Sequence, residues 1–473
     1  MLPSRYLLLG MCFFFFSCEK TPPPSSPPNL VLIFCDDLGY GDIGPFGAKQ
    51  HRTPFLDQMA QEGALFTDFY VSSGVCTPSR SSLMTGCYPR RVDLHVNARP
   101  KGSVGRQVLF PNAHKGLNPS EYTLAELLKD AGYATACVGK WHLGDQTAFL
   151  PTKQGFDRYF GIPYSNDMNR DFCPLPLMRD ETVIEAPVEQ TTLTQRYTEE
   201  ALAFIRQHQD QPFFLYLPHA MPHNSVYASE AFQGTSANGG FGDAVEELDW
   251  STGQILELLK ELGLAENTLV VFTSDNGAAK PFGGSNLPLS GWKGSTQEGG
   301  MRVPALAWWP ETIEAGTKIS ALTTSMDLFP TMAELTQQDI PAEREIDGES
   351  ILPLLTGEEK ESPHEAFFYY QLEQLQAVRS GPWKLHLPLD SMYQNIHRGT
   401  WREGRPMKLV NLETDLAETT DLSTEHPEIV QQLLIFAGEA QSKLGDLGKA
   451  GHKQRKAAYV AEPIPQLLPP ADL

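Results

Sequence analysis

Cysteine is scarce in this sequence, and its positions follow no regular spacing. Seven cysteines occur among 473 residues. Cys12 and Cys18 lie in an N-terminal apolar stretch, which leaves an odd number at irregular intervals along the rest of the chain. This pattern excludes a disulfide framework as the basis of the fold. Cys35 and Cys137 lie within apolar runs, and we expect both to be small residues of the core.

Basic residues are also in deficit. The chain has 37 Lys and Arg against 58 Asp and Glu, which gives a formal net charge of −21 at pH 7. Such a charge repels nucleic acid and anionic membranes, and it excludes a general nucleic-acid-binding function. It does not exclude an anionic substrate, because the cations of a local pocket act on a ligand within a Debye length of about 10 Å.

The apolar run near the N-terminus is short. Residues 6–16 follow Arg5 and are too few to span a bilayer comfortably, but they are typical of a signal-peptide core. The run ends in Ser17-Cys18, which resembles a bacterial lipoprotein cleavage box. We therefore predict a lipoprotein signal peptide over 1–18, export to the bacterial periplasm or cell surface, and a lipid anchor on Cys18 as the only membrane attachment. Plain secretion with cleavage nearby is the alternative. Residues 19–28 are rich in proline and predict a stiff spacer.

Apolar runs that suit buried strands alternate with helical patterns over residues 29–360. Residues 29–35 read NLVLIFC, a continuous apolar run typical of a buried parallel strand. Val245, Leu248, Ile255 and Leu259 lie on one face of a long helix. The alternation predicts an α/β fold, with a large, mostly parallel sheet covered by helices on both faces. Further predicted elements are helices at 53–62 and 123–131 and strands at 64–71, 133–138, 212–217 and 268–273.

After about residue 360 the pattern changes to short strand-like pieces. They lie at 367–370, 376–379, 383–386 and 408–411, and a helical segment follows at 427–440. We therefore predict a smaller C-terminal α+β subdomain and an extended tail over 361–473.

Polar residues follow two of the predicted strands. Asp36 and Asp37 come after the first strand, and Asp275 and Asn276 come after the strand at 268–273. In open α/β sheets, ligands bind beyond the carboxyl ends of the strands. Carboxylate and amide oxygens are ligands for hard cations such as Ca²⁺ and Mg²⁺. The pattern predicts a cation site, although each pair alone also fits an ordinary turn or helix cap.

Residues 76–86 read CTPSRSSLMTG. This string resembles the maturation and active-site signature of the type I, formylglycine-dependent sulfatases of the alkaline phosphatase superfamily, in the branch of arylsulfatase A and N-acetylgalactosamine-6-sulfatase. Other blocks resemble those of the family in the same order, over roughly residues 29–422. The resemblance implies an alkaline phosphatase-like fold, a catalytic domain over 29–360, and hydrolysis of sulfate esters. The other blocks are NLVLIFCDDLGYGDIG from residue 29, GYATACVGKWHLG from 132, FTSDNG from 272 and GWKGSTQEGGMRVP from 291.

The resemblance also implies a cofactor site and a modified residue. A formylglycine-generating maturation enzyme would oxidise Cys76 to an aldehyde, 3-oxoalanine (formylglycine). Ca²⁺ rather than Mg²⁺ is the expected metal, with the modified Cys76 as one ligand. The other implied metal ligands are Asp36, Asp37, Asp275 and Asn276.

The resemblance also implies catalytic roles for further residues. Arg80 is expected to steady the modified residue and its developing charge. Lys140 and Lys293 are expected to hold sulfate oxygens. His142 is expected to assist breakdown of the covalent intermediate.

The block that should carry the general acid departs from the family pattern. Residues 218–225 read PHAMPHNS, so Ser225 stands where the family has the second proline of Pro-His-x-Pro. His223 matches better than His219, because the residues after it resemble those of close relatives. We assign the general acid to His223 and keep His219 as the alternative; His219 also fits a structural, hydrogen-bonding role.

The chemistry of a sulfate ester requires groups of these kinds. The ester is a monoanion with a poor leaving group, so it needs a nucleophile, cations on the sulfuryl oxygens and a proton for the departing oxygen. An unmodified Ser or Cys would remain blocked as a stable ester. A hydrated aldehyde has a second hydroxyl whose deprotonation expels sulfate. We therefore expect unmodified Cys76 to be nearly inactive.

The substrate is less constrained by the sequence. Asp167 and Arg170 lie in a polar segment and are candidates to contact a sugar, although they also fit an ordinary loop. An exported enzyme of this family suits sulfated oligo- or polysaccharides of glycosaminoglycan or algal type. Two other functions stay open: a phosphodiesterase or phosphonate hydrolase of the same superfamily, and a catalytically inactive glycan-binding lipoprotein.

Overall fold

The computed structural model describes residues 27–98, 105–393 and 401–469. The predicted signal peptide, its anchor residue Cys18 and most of the spacer over 19–28 lie outside these residues. Within them, no helix combines the length and apolar character that crossing a membrane requires. The cysteines of this part, Cys35, Cys76, Cys87, Cys137 and Cys173, are all free and buried, as the irregular spacing predicts.

A ten-stranded mixed sheet forms the centre of the molecule. Its strands are β1 Asn29–Cys35, β2 Ala64–Phe66, β3 Ala134–Val138, β4 Arg158–Gly161, β5 Leu177–Arg179, β6 Thr182–Glu185, β7 Phe213–Pro218, β8 Thr268–Ser274, β9 Ala305–Trp308 and β10 Thr317–Ile319. The order across the sheet is β10-β2-β9-β8-β1-β7-β3-β4-β5-β6. The middle of the sheet, from β8 to β4, is parallel, and antiparallel pairs extend it on both sides.

Helices cover both faces of this sheet. Along β1, alternate side chains enter different cores, with Leu32 on one face and Ile33 on the other, as the two-residue period of a strand requires. The helices are α1 Pro54–Glu62, α2 Cys76–Thr85, α3 Leu124–Asp130, α4 Leu193–Gln207, α5 Gly239–Glu261, α6 Glu298–Met301, α7 Leu328–Thr336, α8 Leu352–Leu355 and α9 Pro427–Lys443. The core on the Leu32 side includes residues of α2, α3, α7 and α9, and the core on the Ile33 side includes residues of α1, α4 and α5. The predicted fold class is therefore confirmed.

The C-terminal part contains a smaller antiparallel sheet, as predicted. Its strands are β11 Phe367–Gln371, β12 Gln374–Ser380 and β13 Trp383–His386, followed after a hairpin by β16 Lys408–Asn411. The hairpin strands are β14 Leu389–Tyr393 and β15 Trp401–Arg405, which the sequence pattern did not predict because they are short and mostly polar. Phe367 and Val378 share one hydrophobic cluster with Leu30 of the large sheet. The division at residue 360 stays a prediction.

The predicted strand over residues 64–71 is wrong as a single element. It divides into β2 and a short pair at Phe69–Tyr70, which bonds to Thr323–Thr324 instead of the large sheet. The break lies at Asp68, whose carboxylate binds Arg302 at 2.8 Å and Arg379 at 2.7 Å. Because its side chain binds these two guanidinium groups, Asp68 does not follow the alternation of inward and outward side chains along the strand. The chain passes from one sheet to another at this residue.

Close approach of β3 and β7 depends on Gly139. This glycine follows β3 with φ of 137°, and a Cβ added to it would collide with the backbone carbonyl of Pro218 at the end of β7. The next residue, Lys140, donates its backbone N–H to that same carbonyl at 2.6 Å. Gly139 therefore sets the path of the chain into the Lys140 segment.

Replacing Gly139 with alanine tests this constraint. We expect Gly139→Ala to lower the free energy of unfolding by about 2–5 kcal/mol, since left-handed backbone strain and a backbone collision add together. Gly132→Ala is the matched control: Gly132 has φ of 85° but nothing within 4 Å of an added Cβ. Strain alone predicts a cost of about 1–2 kcal/mol for the control. Equal losses for the two variants in denaturant unfolding would contradict the collision.

Candidate active site

The ends of β1 and β8 bring together the acidic residues identified in the sequence. Cys35 of β1 pairs in register with Ser274 of β8, so the residues that follow the two strands are neighbours. Asp37, with φ of 65°, receives a hydrogen bond on Oδ1 from Nδ2 of Asn276 at 2.7 Å. The backbone N–H of Asp37 donates to Oδ1 of Asp275 at 3.2 Å. Asp36, Asp37, Asp275 and Asn276 are all buried.

Helix α2 begins at Cys76, at the same end of the sheet. Its first N–H groups lack partners within the helix, so this end carries partial positive charge. Sγ of Cys76 lies 3.4 Å from Oδ1 of Asp36. Arg80 follows one turn later on the same face. Its guanidinium donates to Oδ2 of Asp275 at 3.0 and 2.8 Å and to the backbone carbonyl of Lys140 at 2.9 Å.

Lys140 and Lys293 approach the acidic cluster from different segments. Nζ of Lys140 donates to Oδ2 of Asp36 and to Oγ of Ser165, the latter at 3.2 Å. Nζ of Lys293 lies 2.6 Å from Oδ1 of Asp37 and 3.5 Å from Sγ of Cys76. Burial opposes the charge of Lys293, but Asp37, Cys76 and Asp36 together hold its pKa well above the usual value. The ammonium group of Lys293 is therefore charged next to Asp37 and Cys76.

Two histidines contact this cluster in different ways. Nδ1 of His223 lies 2.9 Å from Oδ1 of Asn166, and Nε2 lies 3.7 Å from Oδ2 of Asp37. Nε2 of His142 lies 2.9 Å from the backbone carbonyl of Leu109, whereas its Nδ1 has no partner among the described residues. Burial, aided by Lys140, lowers the pKa of His142 well below its usual value. His142 is therefore neutral, with Nε2 protonated and Nδ1 able to accept a proton.

His219 lies in a different environment from His223. It is fully buried, its Nε2 lies 3.4 Å from Oγ of Ser251, and its ring packs near Tyr197. Burial lowers its pKa to about 3. These contacts belong to the core beneath the sheet edge, and they agree with a structural role.

A narrow cleft opens above Cys76. Its lining includes most of the expected catalytic side chains and the loop after β4, but Arg170 is exposed and donates to the backbone carbonyls of Asp167 and Asn169. Sequence reasoning singled out Asp167 and Arg170 but missed the polar contacts of Ser165 and Asn166. The feature that could have identified these two residues is the position of their segment, just beyond the carboxyl end of β4. The lining residues are Cys76, Val108, His142, Ser165, Asp167, Met168, His223 and Lys293.

The donor atoms at the sheet edge fit a cation. One donor atom each from Asp36, Asp37, Cys76 and His223 lie within 4.8 Å of one another. Oδ1 of Asn276 is buried without a hydrogen-bond partner among the described residues. Such an oxygen is costly to bury unless it binds a donor or a metal. Burial and repulsion from Asp36 raise the pKa of Asp275 to about 7, despite the attraction of Arg80. The residues can therefore hold a metal ion.

Comparison with known proteins agrees with this geometry. The sulfatase family model matches residues 28–338, and the model for the C-terminal part of N-sulphoglucosamine sulphohydrolase matches residues 293–433. The chain is 45% identical over 381 residues to N-acetylgalactosamine-6-sulfatase of Mus musculus, which covers 76% of this chain and 72% of that protein.

Solved structures share the fold over most of the chain. A 6S-sulfatase solved in connection with the metabolism of multiple glycosaminoglycans by Bacteroides thetaiotaomicron has a TM-score of 0.78 and 28% identity, covering 88% of this chain and 100% of that one. Ps i-CgsB in complex with k-i-k-neocarrahexaose has a TM-score of 0.76 and 29% identity, covering 90% and 95%. A phosphonate monoester hydrolase of Agrobacterium radiobacter, with a TM-score of 0.60 and 18% identity, shares the fold alone. Because the sulfatase family model matches well more than half of the length of this chain, the chain belongs to the sulfatase family and is a sulfuric ester hydrolase.

Proposed function

We propose that this enzyme removes sulfate from a sulfated carbohydrate, and that Cys76, after oxidation to formylglycine, is the reacting residue. The observation that carries the proposal is the position of Cys76 at the start of α2, with Nζ of Lys293 3.5 Å from its sulfur. The names of the compared proteins support a carbohydrate substrate. The mouse relative is named for sulfated N-acetylgalactosamine, and Ps i-CgsB was solved with a neocarrahexaose.

Lys140 and Lys293 would bind the sulfuryl oxygens. Each ammonium group has three donors, so it can keep its aspartate partner and still donate to a substrate oxygen. Fixed cations in a water-poor cleft stabilise the charge that develops on these oxygens more strongly than water does. Arg80 is held by Asp275 and would orient the modified residue through the first turn of α2.

The modified residue supplies, once hydrated, a nucleophilic hydroxyl and a second hydroxyl whose deprotonation allows sulfate to leave. His142 suits the removal of that proton, because Nδ1 is its unprotonated nitrogen. His223 suits the donation of a proton to the departing sugar oxygen. Asn166 fixes its Nδ1, so Nε2 is the nitrogen that faces Asp37 and the cleft. Burial lowers the pKa of His223, but a bound sulfate anion favours its protonated form.

We further propose that the metal is Ca²⁺ rather than Mg²⁺. Asp36, Asp37, Asp275 and Asn276 would hold it, with the modified Cys76 as a further ligand. Support comes from the number of oxygen ligands that these four side chains offer, since Ca²⁺ takes about six to eight oxygen ligands and Mg²⁺ usually binds through only one or two carboxylates and keeps several waters. The ion supplies positive charge that favours an ionised hydroxyl. Export and a lipid anchor at Cys18 remain part of the proposal and rest on the N-terminal sequence.

The proposal is tested by sulfate release from a panel of defined sulfated sugars. Protein coexpressed with a formylglycine-generating enzyme should release sulfate from at least one sugar. It should also cleave 4-nitrophenyl sulfate faster than bis(4-nitrophenyl) phosphate. No release from any sugar would contradict the carbohydrate substrate, and faster cleavage of the phosphate diester would indicate a phosphodiesterase.

The same protein tests the identity of the reacting residue. Peptide mass spectrometry of active enzyme should find the mass loss of thiol to aldehyde at Cys76, and Cys76→Ala should abolish sulfate release. Cys87→Ala is the matched control, because Cys87 is a buried thiol just beyond the other end of α2. Full activity with an intact thiol at Cys76 would overturn the mechanism.

The proton donor is tested by the dependence on the leaving group. His223→Ala should lower kcat for a sugar sulfate by about 10²–10⁴-fold, the usual contribution of general acid catalysis. It should lower kcat for 4-nitrophenyl sulfate much less, because nitrophenolate needs no proton to leave. His219→Ala should show no difference between the two substrates. A leaving-group effect in His219→Ala and none in His223→Ala would reverse the assignment.

Removal of the metal tests the cation site with two readouts. Dialysis against a chelator should lower both activity and Tm, because buried carboxylates lose a counter-charge. Ca²⁺ at about 100 times its Kd should then restore about 2.7 kcal/mol of stability, at a lower concentration than Mg²⁺. Asn276→Ala should weaken this Tm response, whereas Asn238→Ala, at the half-buried N-cap of α5, should not. A Tm indifferent to both ions would refute the site.

A further inference from the structure

A second cavity, of about 350 Å³, lies beside the segment that carries Lys293. One wall is the loop over residues 294–297, and the other is formed by the C-terminal strands β12 to β16. The side chains on that second wall include Gln376, His386, Arg402, Arg405 and Lys408. Nothing in the reaction described above uses these side chains.

Positive charge is concentrated in this cavity, within a chain whose net charge is −21. Arg402, Arg405 and Lys408 line it, and among the residues that the structure describes none of the three forms an ion pair with a carboxylate. Their hydrogen bonds go elsewhere: Arg402 to Sδ of Met392 at 3.5 Å, Arg405 to the carbonyl of Gln376, and Lys408 to the backbone carbonyl of Glu418. Burial lowers the pKa of Arg405 to about 10; Glu418 opposes this effect and Arg402 adds to it.

The carboxylate that lines the cavity, Glu418, has its oxygens occupied. Oε1 accepts from Nε2 of His386 at 2.8 Å and lies 2.8 Å from Nζ of Lys384. Oε2 accepts from the hydroxyl of Ser290 at 2.5 Å and from the backbone N–H of Glu298 at 2.9 Å. Its oxygens are directly paired with Lys384 and His386, although its charge also acts on Arg405 across the cavity.

Two buried atoms of the cavity wall lack hydrogen-bond partners within the described part of the chain. They are Nε of Arg405 and Nδ1 of His386, whose side chain is nearly fully buried. Burial lowers the pKa of His386 to about 4, so the ring is neutral. Because Nε2 donates to Glu418, Nδ1 is an acceptor. The cavity wall therefore holds an unused donor for an oxyanion and an unused acceptor for a hydroxyl, a combination that an anionic sugar satisfies and inorganic sulfate does not.

The loop between the two cavities is short. Lys293 reaches Cys76 with its side chain, and the N–H of Gly294 bonds to the carbonyl of Gly74 at 2.8 Å. From Lys293 to Gln297, at the end of this loop wall, the chain spans at most about 14 Å when fully extended. At the same time Thr296 donates to Oε1 of Gln376 at 2.9 Å. The cationic cavity is thus within reach of a short oligosaccharide bound at Cys76.

We propose that this cavity is a second binding site for the substrate glycan, which takes the carboxylate or sulfate group of a sugar near the one that loses its sulfate. Arg402 and Arg405 bind the oxygens of that group, and Nδ1 of His386 accepts from a hydroxyl of the same sugar. This inference rests on the proposed carbohydrate substrate and adds that the substrate carries at least two anionic groups.

The test measures inhibition of 4-nitrophenyl sulfate cleavage by mature enzyme. The competitors are N-acetylgalactosamine 6-sulfate, which has one anionic group, and tetrasaccharides of chondroitin 6-sulfate and of carrageenan, which have several. At least one tetrasaccharide should have an inhibition constant at least tenfold below that of the monosaccharide. In Arg405→Lys and in Arg402→Gln this ratio should fall about tenfold, the effect of losing one charged hydrogen bond.

The controls separate this inference from the proposed function. Arg206→Gln, on the exposed surface of α4, should keep the wild-type ratio. Arg402 is exposed, so Arg402→Gln should unfold at the wild-type Tm even if Arg405→Lys does not. A wild-type ratio near one with both glycans, or an unchanged ratio in both variants, overturns the second site. Variants that change inhibition by inorganic sulfate alone also overturn it, in favour of a free-anion site. Failure to cleave any sulfate ester refutes the proposed function instead.

Discussion

Three carboxylates are buried side by side at the ends of two adjacent parallel strands, and much of the active-site architecture follows from their need for positive charge. Asp36, Asp37 and Asp275 cannot all ionise in an apolar interior without nearby cations. The chain supplies these cations from segments far apart in sequence: Arg80 from α2, Lys140 from the turn after β3, and Lys293 from the loop before α6. Each ion pair thereby fixes one segment to the edge of the sheet. The ion pairs that neutralise these carboxylates therefore also bring the segments of the candidate active site together.

A second buried charge network ties the C-terminal sheet to that assembly. Glu298, just after the Lys293 loop, accepts from the hydroxyls of Tyr70 and Tyr369 and from Lys384 at 2.9 Å. Lys384 also donates to the backbone carbonyl of Thr296 at 2.9 Å. The loop that carries Lys293 is therefore fixed at one end by residues at the edge of the ten-stranded sheet and at the other end by β13. This arrangement explains why the smaller sheet shares a hydrophobic core with the larger one.

Much of this arrangement could be predicted from the sequence. The apolar run of β1, the helical face of α5 and the short helix α3 each depend on a few neighbouring residues, so local patterns identify them. The positions of the strand ends in the sequence predicted that Asp36 and Asp275 would meet, because the carboxyl ends of parallel strands lie at the same edge of the sheet. The contacts of Ser165 and Asn166 were missed, since they depend on the path of a loop that no periodicity specifies. Asp68 divides a predicted strand through partners more than 230 residues away. Local sequence patterns likewise could not predict the cationic cavity, because its walls come from separate strands.

The burial of α2 has a consequence for the order of events in the life of the chain. Every residue of this helix, from Cys76 to Thr85, is buried, and the thiol shares a narrow cleft with Lys293, His142 and His223. The proposed oxidation of Cys76 would require a separate enzyme to bind residues on either side of it, and the folded molecule buries them. Under that proposal, oxidation would precede the burial of α2. A chain that folded first would keep the unmodified thiol, so the active fraction of the protein would depend on the relative rates of folding and oxidation.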